Sequence, residues 1–71
     1  MIKVRVGAFI IGKVSRMADA RQLAASHVIG LVMNGELATG EAISVEYRLD
    51  GQVLEASEML GPDLNGSLLV I

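Results

Sequence analysis

Two rhythms of apolar and polar residues run along this chain. Over residues 2–11, Ile2, Val4, Val6, Ala8 and Ile10 alternate with Lys3, Arg5, Gly7, Phe9 and Ile11, the period of a strand that buries one face. Phe9 and Ile11 make the second face apolar as well, so the later half of this strand is expected to be covered on both sides. Gly12, Lys13, Ser15 and Arg16 link it to the next element.

Residues 19–34 change to a helical period and are the only stretch long and regular enough for a helix. Steps of about 100° gather Ala20, Leu23, Ala24, His27, Val28 and Leu31 into one core stripe. Asp19 with Gln22 has the spacing of a capping box, which makes Ala20 the first helical residue. Asn34 and Gly35 supply the stop, since both tolerate the left-handed conformation that closes a helix. Ile29 and Met33 project away from the stripe with no polar compensation, so the helix is apolar on two sides at its end and needs two surfaces to pack against.

After a short loop over residues 35–40, Ile43, Val45, Tyr47 and Leu49 alternate with Ser44, Glu46 and Arg48, and Asp50-Gly51 follows at once. Asp-Gly between two alternating runs is a strong hairpin signal, because a type I′ turn needs positive φ at both central residues. A two-residue turn sets Leu49 opposite Gln52, Arg48 opposite Val53, Tyr47 opposite Leu54, Glu46 opposite Glu55 and Val45 opposite Ala56. That register puts Leu54 and Ala56 on the core face and Glu55 on the open one. Pro62 ends the strand, a second turn follows, and residues 67–71 form an apolar run suited to a strand buried on both faces or one completed across a subunit boundary. The predicted order is β-α-β-β-β: an α+β fold, one mostly antiparallel sheet with a single helix packed across one face, in one small domain spanning residues 1–71.

Composition adds a demand for a partner. A chain of 71 residues buries only roughly 60% of the surface its unfolded form exposes, and it usually needs a staple. There is no cysteine for a disulfide, and a single histidine cannot make a structural metal site, which leaves oligomerisation. A content of 52% hydrophobic residues and a mean hydropathy of +0.53 agree. The longest apolar runs, residues 8–11 and 28–33, fall far short of the ~20 residues of a membrane span. Lys3 and Arg5 interrupt the N-terminal apolar residues, so no signal peptide is read and the expected location is cytoplasmic. The expected state is a homodimer or higher oligomer, with Phe9, Ile29, Met33, Val70 and Ile71 as interface residues and another protein as its partner.

Charge divides the chain. Through residue 33, Lys3, Arg5, Lys13, Arg16 and Arg21 against Asp19 give +4; beyond it, Arg48 against Glu36, Glu41, Glu46, Asp50, Glu55, Glu58 and Asp63 gives −6. Lys3, Arg5 and Lys13 on one strand could bind nucleic acid, but the chain has only two aromatic residues and a net charge of −2. Mutual neutralisation, with Lys3 and Arg5 paired to Glu46 and Glu55 across the open face, is the favoured reading. His27 in the core stripe, with Tyr47, defines an alternative: an intersubunit pocket for a ligand or small substrate. No supporting constellation accompanies His27, so neither catalysis nor any catalytic residue is expected, and a hydrogen-bonded structural imidazole is favoured. Residues 35–40 have the glycine spacing of a phosphate loop, but Glu41 stands where lysine is required. Asn65-Gly66-Ser67 reads as a turn rather than a glycosylation site. No metal and no cofactor are expected.

The predicted order of elements resembles that of dodecins, small flavin-storing proteins with one helix across a three-stranded sheet. The tryptophan with which dodecins stack flavin has no counterpart here, so the resemblance implies no flavin. In size and layout the chain also resembles short accessory proteins of phages and other mobile elements, including some CRISPR inhibitors, which implies a role in binding a protein.

Overall fold

A computed structural model describes residues 1–64. It has the expected α+β architecture, one open antiparallel sheet of four strands with a single helix across one face. The strands are β1 (Ile2–Val6), β2 (Phe9–Val14), β3 (Ala42–Leu49) and β4 (Gln52–Leu60), laid side by side as β2-β1-β3-β4, and the helix α1 is Met17–Met33. The order among the described residues is therefore β-β-α-β-β. The expected strand at residues 67–71, with Val70 and Ile71, lies outside the described residues.

What reads as one N-terminal strand is a hairpin. Gly7 has φ +59 while Ala8 keeps a negative φ, the type II′ pattern whose twist suits a two-residue hairpin turn, and Val6 faces Phe9 across it. Beyond the turn the inward set changes from even to odd residues, which is why Phe9 and Ile11 fall on the supposed polar side. A bulge between the Arg5–Ile10 and Val4–Gly12 pairs then restores the even set, so Gly12 and Val14 face inward.

The helix begins one turn earlier than the capping-box spacing implies. Arg16, extended at φ −125, is its N-cap and donates no side-chain cap; the amide of Ala20 donates to the Arg16 carbonyl at 3.0 Å. Asp19 instead sits in the first turn, where its charge favours the helix dipole. The C-terminal stop is as read. Gly35 at φ +76 follows the Asn34 cap, and the amides of Gly35 and Glu36 donate to the carbonyls of Val32 and Leu31 at 3.1 and 2.8 Å, a Schellman closure. The loop then returns to bury Leu37.

The β3–β4 hairpin turns on Asp50 (φ +51) and Gly51 (φ +81), the type I′ geometry expected. Its first pairs, Leu49–Gln52 and Arg48–Val53, also match. A bulge then leaves Leu54 unpaired, and Tyr47 faces Glu55, Glu46 faces Ala56 and Val45 faces Ser57. This corrects the expected faces. Glu55, Ser57 and Met59 lie on the helix side, and Ala56 lies on the open side. The unbulged register would set Glu46 against Glu55; the bulge removes that repulsion and brings the Glu55 carboxylate to 3.1 Å from Arg21 on α1.

α1 lies over β1 and β2. Ala20, Ala24 and Val28, one turn apart, let the helix approach Val4, Val6, Val45 and Tyr47 closely, and these with Ile2 and Leu37 are the buried core. Among the described residues only Tyr47, Val4 and Val45 are large and wholly enclosed. At about 1.5–3 kcal/mol for each buried side chain, so thin a core leaves a narrow margin of stability.

Candidate functional site

Among the described residues, the helix side carries an apolar surface that none of them covers. Because α1 sits over β1 and β2, the edge strand β4 is left with Met59 half-buried and Leu60 64% exposed. Between them and the helix runs a groove of about 270 Å³ lined by Ala25, Val28, Ile29, Met59, Leu60 and Pro62. Ile29 (40% exposed) forms its helical wall, and Met33, 72% exposed, lies one turn further along α1. Phe9, 75% exposed, stands at the opposite edge, across from Val6 at the start of β2. Three of the expected interface residues therefore face water. Met59 and Leu60 were not singled out by sequence, because their faces depend on the Leu54 bulge.

The open face of the sheet is charged. The register sets Lys13, Lys3 and Arg48 side by side on β2, β1 and β3. In the next row Arg5 faces Glu46, whose carboxylate accepts from Arg5 Nη1 at 3.3 Å and from Arg48 Nε at 3.2 Å. The neutralisation expected for this face is thus only partly realised. Glu46 serves both arginines, Glu55 has gone to the other face, and among the described residues no ion pair engages Lys3 or Lys13. Between these lysines and the β3–β4 turn is a concavity of about 420 Å³, also lined by Ile10, Arg48 and Asp50.

Within one chain His27 and Tyr47 have different surroundings. His27 is exposed, about 100° around the helix from buried Val28, and its flank leads past Leu23 to β2, the edge of the sheet. Tyr47 is 1% exposed beneath the helix. Burial lifts its phenol above the ordinary 10.0, nearby Glu55 adds to the rise, and Arg21 partly offsets it. A phenol held neutral in this way packs the core rather than acting as a base.

Among the described residues no group of three or more His, Asp or Glu side chains converges as metal ligands would, and no helix is long and apolar enough to cross a membrane. No family model, no curated protein and no solved structure matches the chain. The two surfaces, one apolar and one cationic, are what the geometry offers.

Proposed function

We propose that this chain is a non-catalytic interaction protein that works as a homodimer, two copies joining along β4 and closing the groove beside α1. The observation that carries this is the nine-residue strand β4, the edge of the sheet among the described residues, exposed over most of its length and ending in exposed Leu60, across the groove from Ile29. Of the devices that keep an edge from pairing, β4 carries the Leu54 bulge and the inward-facing Glu55 but neither lysine nor proline. A two-fold axis normal to the sheet pairs β4 with its copy antiparallel, keeps both helices on one side and sets each groove, at the Met59 and Leu60 end of one strand, against the Gln52 and Val53 end of the other. Centred on Ala56, such a pairing sets Glu55 against Ser57 and Leu54 against Glu58, so no carboxylate meets a carboxylate. Phe9, at the far edge of each copy, remains free to engage an apolar side chain of another protein.

Sedimentation equilibrium tests the pairing. Hiding the exposed 72% of Met33 on both copies supplies roughly 2–4 kcal/mol. Met33→Glu therefore weakens the dimer by roughly 30- to 1,000-fold, whereas Arg21→Glu, which breaks only an exposed ion pair, leaves it intact. The wild-type particle has twice the 7.5 kDa mass of one chain. A wild type that sediments as a single copy, or a Met33→Glu variant that keeps the dimer mass, overturns the proposal.

A further inference from the structure

We infer that the open face of the sheet carries an anion site, formed by Lys3, Lys13 and Arg48, that takes a compact oligophosphate group. It lies on the opposite face from the groove and does not depend on the pairing of two copies.

The fold itself disfavours the arrangement of these cations. Lys3 and Lys13 stand directly opposite each other on β1 and β2, and Arg48 flanks Lys3 on β3. Neighbouring strands are about 4.8 Å apart, so three cations fall within about 10 Å. Like charges directly opposite destabilise a sheet, and among the described residues no carboxylate comes within ion-pair distance of the two lysines. Arg48 differs in a useful way. Its Nε is held by Glu46 at 3.2 Å, which fixes the guanidinium stem while leaving its remaining donors free. The concavity these side chains line, about 420 Å³, has the size of a small-ligand site, with Ile10 as its apolar floor and Asp50 at its rim.

The ligand class follows from charge density and from what is missing. Three cations on neighbouring strands can converge on one compact anion, and phosphates joined by anhydride bonds concentrate the charge that such a cluster offsets. A nucleic-acid strand would want stacking platforms as well, yet Phe9 stands opposite the inward-facing Val6, and Tyr47 is buried beneath the helix. Asp50 at the rim also repels an extended polyanion running past the turn.

Inorganic tripolyphosphate is the probe, read by thermal unfolding and by amide chemical shifts. At ten times its dissociation constant it raises Tm by roughly 6–11 °C. The shifted amides centre on Lys3, Lys13 and Arg48, and the affinity falls at least tenfold from about 0.05 M to about 0.5 M salt. The Lys3→Gln, Lys13→Gln double variant melts a few degrees higher than wild type without ligand, because the repulsion is gone, and loses the response. Arg16→Gln, which removes a cation at the helix start, keeps it. Absence of a shift in wild type, equal loss in Arg16→Gln, or binding of a single-stranded oligonucleotide more tightly than tripolyphosphate overturns the inference.

Discussion

Deleting Leu54 from the middle of β4 should leave the protein folded, although removing a residue from mid-strand ordinarily turns every later side chain to the wrong face. Leu54 is the bulged residue: Arg48 pairs with Val53 and Tyr47 with Glu55, and nothing on β3 faces Leu54. Without it, Val53 and Glu55 become neighbours that already point to opposite faces, and the ladder is regular. The loss is the hidden part of a side chain that is 46% exposed, about 0.8–1.6 kcal/mol. Against this, one residue fewer must be ordered, which returns about 1–2 kcal/mol of backbone entropy. The net change is within about 1 kcal/mol. Deleting Val45 from β3 is the contrast. That residue is enclosed in the core and pairs with both β1 and β4, so its removal sets side chains beyond it on the wrong face of two ladders at once. Urea unfolding followed by circular dichroism measures both. A Leu54 deletion that costs more than about 3 kcal/mol, or a Val45 deletion that folds normally, would refute the register.

Two further expectations rest on close packing and on titration. Gly61 is buried where its amide donates to the Glu41 carbonyl at 2.9 Å and its carbonyl accepts from the Gly40 amide at 2.8 Å; a Cβ there would strike the Ala38 carbonyl and lie 3.1 Å from Val32 Cγ2. Gly61→Ala therefore costs about 1–3 kcal/mol in thermal unfolding, and an unchanged Tm would show that this crossing is looser than described. Because the folded-state pKa of Tyr47 is raised above 10.0, its contribution to stability is complete below the unfolded value and is lost as pH climbs through the folded one. Tyr47→Phe removes that component, so between about pH 8 and about pH 11 its Tm falls less steeply than that of wild type; parallel slopes would contradict the assignment.

The elements that could be read from sequence are those closed by residues with special backbone freedom. Asn34-Gly35 and Asp50-Gly51 each announce one conformation, and each adopts it. Gly7-Ala8 is as tight a turn but is embedded in apolar residues, so its only footprint is that Phe9 and Ile11 break the alternation. Both bulges are invisible for a related reason. A single extra residue reverses which set faces inward, and whether Leu54 or Ala56 is the outcast is decided by Glu46, which repels Glu55, and by Arg21, which attracts it. Those partners lie on other elements. A helical wheel gives the stripe but not its centre; the small side chains of Ala20 and Ala24 set the line of closest approach and leave His27 exposed on a flank.

The same partition of charge explains why the apolar and cationic surfaces can coexist on so small a fold. The Leu54 bulge sends Glu55 to the helix side, where it meets Arg21, and leaves Glu46 as the acid shared by Arg5 and Arg48. The lysine pair is therefore unneutralised as a consequence of the register that shapes the groove. In a dimer joined along β4 the two Arg48 side chains are three strand spacings apart sideways, about 14 Å, and farther still along the antiparallel strands, which exceeds the screening length of about 8 Å at physiological salt. Each cationic row then acts independently of its copy, on the face that pairing leaves open. The two proposals consequently place separate demands on the sequence: self-association on Ile29, Met33 and Leu60, anion binding on Lys3, Lys13 and Arg48.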